Sequence, residues 1–342
     1  MRPTRAWRST GGSTRPERVT IERRALRDDD VAVRIDYCGV CHTDLHAVRS
    51  GDTVVPGHEF VGEVTEVGSS VVRFSAGDPV AVGTIVDSCG ACAMCARGLE
   101  QCCHEVPLLT YGGTDADGRT TEGGYSREYV LRESFAYPLP TSLEPSAAAP
   151  LMCAGITVWS PLRAAGVGPG SRVAVAGLGG LGHLAVKLAA ALGADVTVLS
   201  RTADKERDVA GLGASGLLLT TDDEQMAAAR DGFDVVIDTI PVPHDPGPLL
   251  RLAAVDGLVA VVGYLGPMEV QAMDLLMGRK RLTSSGVGGT VATAELLEFC
   301  AEHGITADVE VLPSSRVGEA LERLGRGDVR YRFVLDLADL DD

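Results

Sequence analysis

Aromatic residues are scarce in this 342-residue chain, with six Phe, two Trp and seven Tyr making up 4%. Positive charge is also in short supply: 31 Lys and Arg face 47 Asp and Glu, a formal net charge of −16. With no Lys/Arg block to compensate, general binding of phosphate backbones is excluded as a main function, and only a local basic pocket stays compatible. No uninterrupted apolar stretch is long enough to span a bilayer. The most apolar run, Val173 to Ala194, is broken by five glycines, His183 and Lys187. Internal repeats and low-complexity tracts are lacking as well.

Glycine, by contrast, is abundant at 41 of 342 residues, about 12% against a usual ~7%. Many glycines with few aromatics suit an α/β protein with tight turns better than an all-β sandwich. A hydrophobic fraction of 45% with interspersed charges argues against disorder. The nine cysteines, at 38, 41, 89, 92, 95, 102, 103, 153 and 300, form an odd set in a long chain. They read as reduced thiols of a soluble, cytoplasmic protein rather than a disulfide framework. The acid-free segment Met1 to Arg15 reads as a polar leader into the first strand.

The length suggests two domains. Residues 1–150 carry short alternating segments such as Val31–Ile35 and Gly62–Val67, with few helical signals. From about Pro150 the texture becomes strand–helix alternation. Ser171–Ala176, Asp195–Leu199, Leu217–Leu219, Asp234–Asp238 and Leu258–Val262 are the expected strands, with a helix from Gly180 to Leu192. This pattern calls for a parallel sheet over 151–288. A helix from Ala294 to His303 then leads back to β sequence ending at Asp336, so 289–342 is expected to complete the first domain.

Gly177-Leu-Gly179-Gly180-Leu181-Gly182 follows a strand and opens a helix. In that setting the first glycine makes a tight turn and the second admits a pyrophosphate. The third lets helix and strand pack closely, with the phosphates over the helix N-terminus. An NAD site wants an Asp or Glu at the tip of the next strand. Here the tip reads Ser200-Arg201-Thr202, with Lys205 one turn on, a set suited to a ribose 2′-phosphate. NADP(H) is therefore favoured over NAD(H).

Two thiol-rich clusters suit a metal. Cys89, Cys92, Cys95 and Cys103 fall within fifteen residues, the spacing of a closed tetrahedral zinc site, with Cys102 a competing fourth ligand. The second set is scattered: Cys38, Cys41, His42, Asp44, His46, His58, Glu59 and Cys153. Catalytic zinc takes three protein ligands and keeps a position open, and two Cys with one His is one such set. Spacing alone does not choose between Cys38 and Cys41.

Several motifs together resemble the zinc-dependent medium-chain alcohol dehydrogenases, in particular the cinnamyl alcohol dehydrogenase group with its bacterial NADP-dependent aldehyde reductases. They are Cys38-Gly-Val-Cys-His-Thr-Asp-Leu-His46, Pro56-Gly-His-Glu59, the Cys89 to Cys103 loop, Glu122-Gly-Gly-Tyr125, Pro150 to Pro161, Gly177 to Gly182 and Asp328 to Phe333. The match runs from about Val31 to the C-terminus. It implies a GroES-like β-rich catalytic domain with an inserted Rossmann domain of doubly wound parallel sheet. By position it makes Cys41, His58 and Cys153 the catalytic zinc ligands, Glu59 a transient ligand and Cys38 a buried bystander. Cys89, Cys92, Cys95 and Cys103 become the structural zinc ligands, which decides against Cys102. Asp44 orients His58, and Thr43 with His46 forms the proton relay. Ser200, Arg201 and Lys205 match the 2′-phosphate positions, Arg201 replacing what is commonly a serine. Family members usually form homodimers through the edge of the nucleotide-domain sheet.

The resemblance implies two zincs per chain, NADP(H), and hydride transfer between a primary alcohol and its aldehyde, aromatic or medium-chain. Six thiolates and two Zn²⁺ place the holo chain near roughly −18, so cofactor binding must rest on local donors. The segment Ala47 to Gly57 is shorter than usual for the group, which bears on the preferred aldehyde. Trp159 stands where tyrosine is common and is expected to narrow the substrate cleft, and the first 25 residues match only loosely. Two other readings compete. A relative reducing an iminium or activated double bond would not need the alkoxide-protonating pair Thr43 and His46. A non-catalytic nucleotide- or zinc-binding protein predicts a loss among Cys41, His58 and Cys153, and none is lost.

Overall fold

A computed structural model describes residues 1–51 and 53–341. Asp52, inside the short segment Ala47 to Gly57, lies outside the described residues. The chain divides into two compact units, Met1–Cys153 with Gly288–Asp342, and Ala154–Val287.

The first unit opens with β1 (Arg2–Arg8) and β2 (Glu17–Arg23), an antiparallel ribbon registered from Arg2 opposite Arg23 to Arg8 opposite Glu17. The expected polar leader is thus a strand. Thr4 and Ala6 share one face and are buried, while the exposed Arg5 between them points to the other, and that period of two gives a basic segment a buried face. Next come β3 (Asp30–Val40), β4 (Phe60–Val67), β5 (Pro79–Val82), the short pair β6 (Ile85–Asp87) and β7 (Leu108–Leu109), β8 (Glu128–Arg132) and β9 (Ala136–Pro138). The second unit holds β10 (Arg172–Ala176), β11 (Asp195–Ser200), β12 (Gly216–Leu219), β13 (Phe233–Asp238), β14 (Ala253–Val261) and β15 (Arg281–Ser284). β16 (Val309–Pro313) and β17 (Arg332–Asp336) return to the first unit.

The main sheet of the first unit runs β16-β17-β3-β4-β5-β9, with β8 also paired to β3. β3 and β4 are antiparallel with Cys38 opposite Phe60. The C-terminal end of β3, which carries Cys38 and leads to Cys41, therefore lies beside the start of β4, which follows His58 and Glu59. A helix, His42–Arg49, begins directly after Cys41. The sequence reading expected few helices here and did not place one at this position.

In the second unit the sheet is parallel, in the order β12-β11-β10-β13-β14-β15. Val236, Val259, Ala174, Leu199 and Leu250 are among its core residues. The order reverses between β10 and β13, the switch point outside which open α/β sheets bind ligands. Gly177 has a φ of +90°, and a Cβ on Gly182 would lie 2.1 Å from the Gly177 carbonyl oxygen. The first and third glycines of the turn are thus required by the fold itself. The following helix spans Gly182–Ala191.

The helix expected from Ala294 starts earlier and spans Thr290–His303. Its first turn is held from outside: the buried Glu100 carboxylate accepts from the Thr290 N–H (2.8 Å) and hydroxyl (3.0 Å). No described helix is long and apolar enough to cross a membrane.

Candidate metal and cofactor sites

The β3–β4 pairing brings Cys41 and His58 of the scattered set together, and Cys153 joins them. Cys41, His58 and Cys153 each offer a ligand atom, and these atoms lie within 4.8 Å of one another. Cys41 Sγ is 3.9 Å from Cys153 Sγ, and His58 Nε2 is 3.1 Å from Cys153 Sγ. Tetrahedral zinc with ~2.3 Å sulfur and ~2.0 Å nitrogen bonds spaces its ligands about 3.5–3.8 Å apart, so the trio is metal-sized. Cys38 is not part of it. Its thiol is fully buried, faces the Gly39 carbonyl, and is pushed well above the usual thiol range by burial.

Electrostatics support the same reading. A thiol hydrogen bond from Cys153 holds Cys41 well below its ordinary value, while that thiolate, with burial, keeps Cys153 well above it. Two buried thiolates at this distance cannot both ionise without a cation between them. Burial opposes charge on His58, but Asp44 and Cys41 together outweigh it and push the ring well above the usual imidazole range. A divalent cation in place of the protons satisfies all three groups.

Asp44 is the organiser behind this trio. Fully buried in the first turn of the helix, it accepts at Oδ1 from Gly57 N (3.0 Å) and His58 Nδ1 (3.1 Å). At Oδ2 it accepts from Cys41 N (2.9 Å) and the Tyr125 hydroxyl (3.2 Å). An Nδ1–H donated to Asp44 leaves the Nε2 lone pair toward the thiols. Thr43 and His46 stand three residues apart on the same helix, both exposed, with Thr43 Oγ1 3.7 Å from Cys41 Sγ. Residues at that spacing share a helix face.

Glu59, for which the resemblance implies a transient-ligand role, rests on an arginine in this structure. Both carboxylate oxygens are held by the buried Arg332 of β17, at 3.1 and 2.7 Å. Burial pushes Glu59 up to about 7, against the pull of Arg332. Tyr111, which sequence reasoning passed over, lies tilted against the His58 ring at 5.8 Å and 55°, with its buried hydroxyl outside hydrogen-bond geometry.

The four-cysteine loop also closes on one point. Ligand atoms of Cys89, Cys92, Cys95 and Cys103 lie within 4.8 Å of one another, with Cys89–Cys95 at 3.9 Å and Cys92–Cys95 at 3.5 Å. These approach the ~3.8 Å sulfur spacing of tetrahedral zinc. Backbone N–H groups of Cys95 and His104 hold the Cys92 thiol down to about 6, so a thiolate is ready. Cys102 is exposed and outside the group.

At the glycine turn, a Cβ on Gly179 would meet no protein atom within 4 Å, leaving room for a ligand against the backbone. Lys205 Nζ reaches back to the Leu178 carbonyl at 3.1 Å, which places its charge at the turn. Ser200 Oγ donates to the Thr202 carbonyl at the tip of β11, and Arg201 is exposed beside it. No carboxylate occupies the tip. The donor set fits a phosphate-bearing ribose. Trp159 is buried on the helix Ala154–Ala164.

Residues 27–141 match the family described as alcohol dehydrogenase GroES-like domain, and residues 180–302 that described as zinc-binding dehydrogenase. The NADP-dependent alcohol dehydrogenase C 1 of Mycolicibacterium smegmatis is 46% identical over 99% of each chain. This chain belongs to the zinc-binding alcohol dehydrogenases. Among solved structures of the family, a cinnamyl alcohol dehydrogenase from Sorghum bicolor superposes with a TM-score of 0.94 at 42% identity, covering 98% of both chains. The enzyme from Helicobacter pylori, solved with NADP(H), gives 0.91 at 32%, again over 98% of both. The fold is therefore that of the cinnamyl alcohol dehydrogenase-like group, a GroES-like part with an inserted Rossmann sheet. Within this family member, Arg332 was missed because its partner Glu59 lies 273 positions away. The one available cue was its place in the Asp328 to Phe333 motif.

Proposed function

We propose that this family member is an NADP(H)-dependent, zinc-containing alcohol dehydrogenase that interconverts a primary alcohol and its aldehyde. The observation that carries this reading is the buried trio of Cys41, His58 and Cys153, oriented by Asp44. When bound, zinc supplies Lewis-acid polarisation of a carbonyl and NADPH supplies the hydride.

The chain's own residues do the rest. Cys41, His58 and Cys153 hold the metal, and Cys89, Cys92, Cys95 and Cys103 hold a second, structural one. Asp44 fixes the His58 tautomer. The Thr43 hydroxyl delivers a proton to the product oxygen, and His46, exposed on the same helix, exchanges that proton with solvent. Glu59, next to His58 and braced by Arg332, is the transient ligand that the resemblance implies. Ser200, Arg201 and Lys205 hold the 2′-phosphate, and the helix N-terminus after Gly179, Gly180 and Leu181 holds the pyrophosphate.

The intact Thr43 and His46 favour carbonyl over double-bond reduction. A homodimer is proposed through β15. That strand is one of the two edges of its sheet, and Leu265, Met273, Leu276 and Met277 of the same unit are exposed. Nine unpaired cysteines suit a reducing, cytoplasmic setting. Cys153→Ala tests the assignment: one zinc per chain and no turnover in a folded protein are expected, whereas retained activity would move the metal elsewhere.

A further inference from the structure

The N-terminal ribbon sends one charged side chain deep into the first unit. Arg23, the last residue of β2, is 7% exposed, and its guanidinium makes four hydrogen bonds. It donates to the carbonyls of Glu128 (2.8 Å), Glu122 and Gly123 (2.8 Å), and to Ser126 Oγ (2.6 Å). Its flat face covers the Tyr129 ring at 4.5 Å, and the Tyr129 hydroxyl donates to the Thr110 carbonyl at 2.7 Å. A buried arginine is costly, and burial pulls this one below its ordinary value. None of these hydrogen-bond partners is a carboxylate; Glu122 and Glu128 favour the charge only from a distance.

What Arg23 grips is the segment that backs the metal trio. Gly123 N donates to the Val55 carbonyl (2.6 Å), Tyr125 N to Pro56 (2.9 Å) and Gly124 N to Gly57 (2.8 Å). This ladder runs along the residues leading directly into His58. A Cβ on Gly123 would sit 2.2 Å from the Pro56 oxygen, so the two segments are in close backbone contact. Tyr125 also donates its hydroxyl to Asp44, and Thr110, held through Tyr129, precedes the Tyr111 ring that packs on His58. Both tyrosine-bearing segments around His58 and Asp44 therefore converge on one guanidinium.

We propose that Arg23 is a positioning residue for the metal centre, acting through the Glu122–Ser126 segment and Tyr125 on Asp44 and His58. The fork matters more than the charge, because four acceptors in fixed directions need a planar donor that a lysine cannot supply. The proposal rests on Cys41, His58 and Cys153 being the metal ligands. Cys153→Ala keeping two zincs would remove that footing, whatever Arg23 does.

The test follows zinc transfer from the holoenzyme to a chelating indicator, resolving the two metals by rate. Loss of residues that orient metal ligands typically costs 10–100-fold in metal affinity. In Arg23→Lys, one zinc is expected to leave about tenfold or more faster, while the four-cysteine zinc leaves at the wild-type rate. In Arg23→Ala, millimolar guanidinium restores slow release and ammonium does not. Tyr125→Phe keeps Arg23 and its segment but severs the link to Asp44. It is expected to speed release of the same zinc, which keeps the test open should the Arg23 variants fail to fold. Wild-type release in Tyr125→Phe, equal acceleration of both zincs in Arg23→Lys, or no rescue by guanidinium would each overturn the proposal.

Discussion

Glu100 links the four-cysteine loop to the start of the helix Thr290–His303, and its removal gives a prediction with a calculable size. The carboxylate, 8% exposed, accepts from the Thr290 N–H at 2.8 Å and the Thr290 hydroxyl at 3.0 Å. Gly289 leaves room for it, since a Cβ there would lie 2.6 Å from Glu100 Oε2. Glu100→Gln keeps both polar atoms and removes the charge. Losing a carboxylate at a helix N-terminus costs about 0.3–1 kcal/mol, and losing charge assistance roughly another 1 kcal/mol. A total of about 1–2 kcal/mol corresponds to roughly 5- to 30-fold faster exchange of the helix's first amides, if they exchange by local opening. Glu100→Ala also strands the Thr290 N–H, which adds about 1–3 kcal/mol. Hydrogen exchange is the suitable assay, because a two-unit chain need not unfold in two states. The first turn of Thr290–His303 should lose protection in the order wild type, Glu100→Gln, Glu100→Ala, while Gly182–Ala191 is unchanged. Equal protection in wild type and Glu100→Ala would refute the clamp.

Two further outcomes are expected. Asp44→Asn presents at most one acceptor oxygen to four donors, so affinity for one zinc should fall about 10–100-fold. Metal analysis after dialysis against a chelator should then find one zinc retained, and two retained zincs would count against the role of Asp44. Arg201→Asp should lower the preference for NADP over NAD about tenfold through one lost charge-assisted contact and a new repulsion. Cofactor titration followed by protein fluorescence reads this out, and an unchanged ratio would remove Arg201 from the phosphate site.

Local chemistry was legible in the sequence wherever it is carried by spacing. The Cys89 to Cys103 loop and the Gly177 turn each hold their partners within a few residues, so chain order alone displays them. Five strands of the parallel sheet followed from strand–helix alternation for the same reason, while the sixth, β15, was not read. Cys41 against Cys38 was not legible from spacing, because the choice depends on which thiol the end of β3 turns toward His58. The helix His42–Arg49 escaped notice because its N-terminus lacks an Asp, Asn, Ser or Thr cap. The signal lies instead in Asp44, whose side chain folds back onto Cys41 N. Arg332 with Glu59, and Arg23 with Gly123, meet across 273 and 100 positions. No periodicity reports which distant strands become neighbours. The basic N-terminus misled for another reason: its arginines were counted as composition, while the fold buries Thr4 and Ala6 on one face of a strand and turns Arg5 to the other.

Zinc stoichiometry taken together with NADPH oxidation, measured on one purified sample against aldehydes graded in length and aromaticity, bears on the chemistry as a whole. Two zincs per chain and aldehyde-dependent NADPH consumption, abolished in Cys153→Ala, are expected. One zinc per chain, or no consumption with any aldehyde, would contradict the assignment.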